Sequence, residues 1–328
     1  MRSTPPWWLP GGHLQTVVAA KLARVGDEAT PVPWRRERWT TPDDDFIEVD
    51  VLAAEGGTAA PCLVLFHGLE GSSVSHYARA FALQARRRGW ALVLPHFRGC
   101  GGALNRAPRA YHSGDWTEID WILRRVRAER AGPVMAVGVS LGGNALMRWA
   151  GELGAQAHAS VNAVAAVCAP LDLVRSGEAL GRGLNRVLYT PMFLRTMKPK
   201  AQAKWQQYPG LFDLERASRA RTLAEFDDAF TAPVHGFQGV IDYWTRASAK
   251  PVLRDIAVPT LLLNARNDPF VPATSLPHSA EVSAHVTLWQ PAQGGHVGFV
   301  AGAWPGHVNA MPQAVADWLH NNAECPRG

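Results

Sequence analysis

A serine boxed by glycines, Gly138-Val139-Ser140-Leu141-Gly142, ends the apolar run Pro133-Val134-Met135-Ala136-Val137 and leads into Asn144-Ala145-Leu146-Met147-Arg148-Trp149. The pattern predicts a strand turning sharply into a helix, with the Ser140 hydroxyl held out over the end of a sheet and the next backbone N–H beside it. Glycine suits the flanking positions because side chains there would collide across the turn. Serine is a weak nucleophile at neutral pH and needs a base, commonly His, that is itself oriented by a carboxylate. The five-residue pattern also recurs in loops without chemistry, so its weight rests on what accompanies it.

Candidates for both partners lie downstream. Residues 259–264 read as a short apolar strand, and Asp268 follows it in Ala265-Arg266-Asn267-Asp268-Pro269. Residues 285–289 alternate like a strand and lead into Gln293-Gly294-Gly295-His296-Val297-Gly298-Phe299, where glycines allow a loop to approach another closely. Loops at the carboxyl ends of parallel strands gather on one sheet edge, so Ser140, Asp268 and His296 are expected to converge there. Two backbone N–H groups must then face the oxygen that becomes negative in the transition state. Leu141 supplies one by position, and Leu69, in the loop His67-Gly68-Leu69-Glu70-Gly71 after the apolar run 61–66, is expected to supply the other.

Rival readings stand beside these. Asp268 could cap a turn next to Pro269, and Asp172, after the apolar run 163–168, is the competing acid. Asp227 and Asp228 read as solvated or capping helix residues, and His67, which precedes the nucleophile, as a brace for its loop. The remaining histidines lack close metal-ligand spacing, so no zinc site is expected.

The elements that must position this set are legible in outline. Strands near 34–40 and 46–52 precede an alternation: strand 61–66, helix 75–88, strand 90–94, helix 115–130, the Ser140 strand and helix, and strand 162–168. Such alternation predicts an α/β fold with a mostly parallel central sheet and helices on both faces. Residues of about 172–250 interrupt it with many apolar and aromatic side chains, Leu180, Phe193, Phe226 and Phe230 among them, and are expected to form a helical cap over Ser140. A cavity lined by such residues suits an acyl chain or a similar apolar group.

Composition agrees with a globular chain: 328 residues, 47% hydrophobic and 19% charged, read as a single domain over 1–328 carrying the cap insertion. The formal charge of +5 is modest, and the pairs and triplets of arginine, such as Arg86-Arg87-Arg88, predict solvated faces rather than a nucleic-acid surface. Cys62, Cys100, Cys168 and Cys325 lack C-x-x-C spacing, which predicts free thiols in a reducing compartment. The opening residues are too rich in proline for a signal segment, and no stretch approaches the ~18 apolar residues of a membrane span, so a cytoplasmic location is expected.

A longer segment is more specific than the serine turn: His96-Phe97-Arg98-Gly99-Cys100-Gly101-Gly102-Ala103-Leu104-Asn105, continuing through Arg109-Ala110-Tyr111-His112-Ser113-Gly114. It resembles the signature of the YheT-like branch of the α/β-hydrolase superfamily, whose eukaryotic relatives include membrane-anchored lipases. His13-Leu14-Gln15-Thr16, 67–71, 138–144, 226–237, 267–272 and 294–299 are similar as well, so the resemblance spans nearly the whole chain. It implies an α/β-hydrolase fold, Ser140, Asp268 and His296 as a triad, and esterase activity on carboxylic esters. Within the 98–114 loop, Arg98 is expected to pair with carboxylates and hold the turns, with contact of Arg98, Arg109 or His112 to a polar substrate group as the alternative.

These readings lead to a serine hydrolase that cleaves carboxylic esters, a carboxylesterase or an acylglycerol lipase, through an acyl-enzyme and without metal or organic cofactor. The alternatives are an acyltransferase with the same triad and a non-catalytic ligand-binding scaffold. The substrate expected is a small ester with an apolar acyl group.

Overall fold

A computed structural model describes residues 5–26 and 32–323. Cys325 and the first four residues, on which the readings of cysteine use and of a leader partly rest, lie outside the described residues. Eight strands, β1 (Arg35–Thr40), β2 (Phe46–Leu52), β3 (Cys62–Phe66), β4 (Ala91–Pro95), β5 (Val134–Val139), β6 (Ala163–Val167), β7 (Thr260–Leu263) and β8 (Val286–Trp289), form one sheet. Their order is β1-β2-β4-β3-β5-β6-β7-β8. The β1–β2 and β2–β4 pairs are antiparallel and all others parallel.

The helices are α1 (Gly12–Lys21), α2 (His76–Arg87), α3 (Trp116–Ala128), α4 (Leu141–Leu153), α5 (Leu173–Leu180), α6 (Gly183–Leu188), α7 (Thr190–Gln207), α8 (Leu214–Arg219), α9 (Leu223–Phe226), α10 (Ala232–Val234), α11 (Val240–Ala247) and α12 (Ala310–Ala323). The central strands are buried on both faces, which is why they read as unbroken apolar runs. Alternate residues separate into two cores. Val64, Phe66 and Ala136 pack with Ile122 of α3 and Trp149 of α4, whereas Leu63, Leu65 and Val137 pack with Phe81 of α2 and Val315 of α12. Each large apolar side chain buried in this way contributes about 1.5–3 kcal/mol.

α2 shows how local sequence sets an element's end. Tyr77, Phe81 and Ala85 form its buried stripe, and Gly89, at φ +66°, closes the helix as Trp90 N–H donates to Ala85 O and Gly89 N–H to Arg86 O. The following residues are then free to enter β4.

Between β6 and β7 the chain leaves the sheet layers and forms α5 to α11. This insertion has its own apolar cluster, in which Leu194, Phe212, Phe226 and Phe230 are buried. A π-helical turn, Asp227–Thr231, joins α9 to α10. Asp227 departs from the solvated or helix-capping role expected for it: its carboxylate accepts from Thr231 Oγ1 at 2.6 Å and Trp244 Nε1 at 2.9 Å, and burial raises its pKa to about 6. The sequence shows two adjacent aspartates on a helix, but only the packing of α11 reveals that one faces inward.

Candidate active site

The Ser140 turn has the strain its sequence predicts. Ser140 sits between β5 and α4 at φ +53° and ψ −120°, a conformation rare for a residue with a side chain, and its N–H is tied to Val167 O of β6 at 2.8 Å. A Cβ at Gly138 would lie 2.3 Å from Gly142 O, and one at Gly142 2.5 Å from His67 O, so backbone fills the space that any larger residue would need.

Asp268 follows β7 by five residues and His296 follows β8 by seven, which brings both to the carboxyl edge of the sheet beside Ser140. His296 Nε2 lies 3.0 Å from Ser140 Oγ, and His296 Nδ1 lies 2.8 Å from Asp268 Oδ2. Asp268 is buried, and its Oδ1 accepts the N–H groups of Phe270 at 2.8 Å and Val271 at 3.3 Å, so both carboxylate oxygens are held. The Phe270 ring lies 4.2 Å from the imidazole, centre to centre, and limits its rotation. Asp172, the rival acid, is the N-cap of α5, where it accepts Arg175 N–H at 3.1 Å.

Leu69 and Leu141 line the same cavity as Ser140 and His296. Neither backbone N–H has an acceptor among the described residues. Their neighbours are well satisfied: Gly68 N–H donates to Tyr77 Oη at 2.9 Å and Glu70 N–H to Tyr111 Oη at 3.2 Å. His67 braces this loop from beneath. It is fully buried, its Nδ1–H donates to Gly68 O at 2.7 Å, and its Nε2 accepts Phe97 N–H at 3.1 Å. Burial lowers its pKa to about 3, so it is a neutral strut remote in role from a base.

Three supports were not read as site residues. Thr16 Oγ1 accepts His296 N–H at 2.9 Å while donating to Gly12 O at 2.7 Å, so α1 holds the histidine loop by its backbone. Gln15 Oε1 accepts from Gly294 N–H and Asn267 Nδ2, each at 2.9 Å, tying the loop after β7 to the loop after β8. The only signal for these contacts was the similarity of 13–16 to the family pattern. Cys168, expected only as a free thiol, also lies beside the pair: its Sγ, an Asp268 oxygen and a His296 nitrogen are within 4.8 Å of one another. Burial, and then the Asp268 charge, raise the Cys168 pKa well above the usual thiol range, and Val297 N–H donates to its sulfur at 3.2 Å. A neutral thiol is the form this environment favours.

The 98–114 loop is organised by Arg98, which is buried and bonded to Glu118 at 2.6 Å, Asp45 at 2.8 Å and Asp43 at 2.9 Å. Burial alone would discourage ionisation of Asp43, but its bonds to Arg98 and Thr41 bring its pKa down to about 2. These partners engage Arg98 within the fold, and Arg98 also lines the cavity. Arg109 pairs with Asp115, and His112 Nδ1 accepts Gly114 N–H at 3.2 Å. His112 also lines the cavity.

Above Ser140 the insertion closes over this space with Leu180, Phe193, Leu223, Phe226 and Phe230 on its walls. The parallel strands β3 to β8, the β1–β2 pair joined to them through antiparallel pairing, the strained serine turn and the insertion after β6 define a hydrolase of the α/β class. The sequence agrees: residues 61–303 match the family described as alpha/beta hydrolase fold, and the chain belongs to that family. It is 38% identical over 313 residues to YheT of Escherichia coli (strain K12), which its name assigns provisionally to the esterases, covering 94% of this chain and 89% of that one. It is 26% identical over 328 residues to the human protein named Phospholipase ABHD3, covering 98% and 79%. Among solved structures, the Pyrococcus furiosus esterase Pf2001 shares the fold with a TM-score of 0.56 at 16% identity, covering 92% of this chain and 98% of the other.

Proposed function

We propose that this protein is a serine hydrolase that cleaves carboxylic esters through an acyl-enzyme. The observation that carries the reading is the unbroken line Ser140 Oγ, His296, Asp268, with links of 3.0 and 2.8 Å, opening into an apolar cavity. The names of YheT and ABHD3, an esterase and a phospholipase, favour the same bond type.

In this reading Ser140 Oγ attacks the ester carbonyl carbon as His296 Nε2 takes its proton. Asp268 holds the imidazole with Nδ1–H toward itself and stabilises the imidazolium. The Leu69 and Leu141 N–H groups, at a loop and at the start of the 13-residue α4, hold the carbonyl oxygen as it becomes negative. His296 returns the proton to the departing alcohol, which leaves the acyl group on Ser140. Water, deprotonated by the same nitrogen, then releases the acid. The acyl chain lies against Leu180, Phe193 and the phenylalanines of the insertion.

A fluorophosphonate probe tests the reading directly. It is expected to label the wild-type chain at Ser140 and to leave Ser140→Ala unlabelled. Labelling that survives this substitution rejects Ser140 as nucleophile. Turnover of p-nitrophenyl esters of increasing chain length then identifies the acyl preference, and water rather than an added alcohol is expected as the acceptor.

A further inference from the structure

The segment that walls the cavity has an outer face with a different character. Between Glu178 and Asp213 the chain carries six basic residues and no acidic one. Two of the six turn inward: Lys200 pairs with Glu70 at 2.9 Å, and Lys204 Nζ donates to Asn105 O, Ala107 O and Gln207. The others lie in the same stretch of chain as four exposed apolar side chains. Leu184, Val187, Leu188 and Met192 are 60%, 70%, 50% and 41% exposed. Arg182, Arg186 and Arg195 are exposed among them, and only Arg182 has an ion-pair contact, with Glu178 at 3.9 Å. The side chains of Arg186, Arg195 and Lys198 form no ion pair or hydrogen bond among the described residues.

Water is a poor solvent for four large apolar side chains within nine residues, and such a cluster on a folded surface marks something it meets. A segment that joins exposed apolar side chains to exposed cations, of which Arg186 and Arg195 have no ion pair among the described residues, matches the interface of an anionic bilayer, where the former enter the acyl boundary and the latter meet lipid phosphates. Two copies meeting symmetrically through this segment would set cation against cation, since between Glu178 and Asp213 it carries no acidic residue. The location adds to the argument. Leu180 and Phe193, on either side of the exposed run, line the cavity, and Tyr189 between them packs on Phe270, which lies against His296. α1 abuts the same segment through the stacked rings of His13 and Tyr189, and its Leu14 and Val17 are also exposed.

We infer that residues 182–195 form a docking surface for an anionic lipid bilayer, which places the cavity wall at the membrane. The surface goes beyond the proposed ester hydrolysis, and its binding is read without turnover. Leu184, Val187 and Leu188 enter the headgroup boundary, while Arg182, Arg186 and Arg195 meet phosphate oxygens.

Cosedimentation of the full chain with phosphatidylcholine vesicles, with and without phosphatidylglycerol, tests the inference. Binding is expected with the anionic vesicles, to weaken with added salt and to be much lower with phosphatidylcholine alone. Arg182→Gln and Arg186→Gln are each expected to lower the affinity about fivefold. The double variant Leu184→Glu/Val187→Glu is expected to abolish it. Thermal melts and p-nitrophenyl acetate turnover of the variants serve as controls for folding and for the site, and are expected to match wild type. Three results would overturn the inference: no binding to anionic vesicles, binding that both sets of substitutions leave unchanged, or a wild-type dimer in solution that Leu184→Glu/Val187→Glu makes monomeric. Failure of ester hydrolysis with vesicle binding intact would reject the proposed function and leave the docking surface standing.

Discussion

Ser140, His296 and Asp268 act as a unit in the proposed reaction, so their removal should be costly in different degrees. Ser140→Ala is expected to lower kcat by about six orders of magnitude, and Asp268→Asn by about four, because the amide would present the wrong partner to Nδ1–H while preserving shape. Steady-state rates on one soluble ester check both, and equal losses from a conservative Asp172→Asn would return the role to the rival acid. His67 gives an independent prediction. Its pKa of about 3 means that it should remain neutral, with the proton on Nδ1, throughout the pH range in which the enzyme is folded, as read from imidazole 15N shifts. The sign of its linkage follows: the folded pKa lies below the ordinary 6.5, so its stability contribution is complete above pH 6.5 and is lost as pH falls toward 3. At pH 5 the loss from this residue alone is about 2 kcal/mol.

Among the elements, the serine turn and the Arg98 loop differ in what they ask of the chain. The turn depends on backbone contact, since any Cβ at Gly142 meets Phe66 O at 2.6 Å and His67 O at 2.5 Å. Gly142→Ala is therefore expected to lower the melting temperature and to cut the rate of fluorophosphonate labelling as β3 and α4 move apart. A variant with wild-type labelling would show that the loop can yield at little cost. The Arg98 loop depends on charge. Arg98→Met leaves Asp43, Asp45 and Glu118 without their shared cation, and breaking a buried pair in this way costs about 3–5 kcal/mol. Urea unfolding measures the loss, and a change below about 1 kcal/mol would contradict the structural role.

At the scale of the whole molecule, the proposed reacting groups follow strands of the sheet, and the insertion forms much of the cavity wall. Selectivity should therefore change at the insertion without disturbing the triad. Leu180→Trp fills part of the cavity and is expected to lower kcat/KM for long-chain p-nitrophenyl esters by at least tenfold relative to the acetate, about the effect of losing one or two buried methylenes. An unchanged ratio would place the acyl chain elsewhere.

Much of this molecule follows from local rules that a single chain displays. The apolar runs at 61–66, 134–139 and 163–167 become central strands because runs this short, with no polar side to turn to solvent, suit strands buried on both faces. The glycines around Ser140 announce a turn because no side chain fits there, and the spacing of Asp268 and His296 past their strands put them on one edge. The contacts missed were of another kind. Thr16 and Gln15 reach the histidine loop across roughly 280 residues of chain, Cys168 reaches the Asp–His pair across 100 or more, and no periodicity encodes such meetings. The inward turn of Asp227 and the outward turn of Leu184, Val187 and Leu188 depend on which neighbours pack against the insertion, which no local pattern specifies. The sequence by itself determined the fold class and the candidate chemistry, because sheet periodicity and turn sterics act over a few residues. Tertiary structure alone decided what braces that chemistry and which face of the insertion meets solvent, because burial depends on the packing of distant segments.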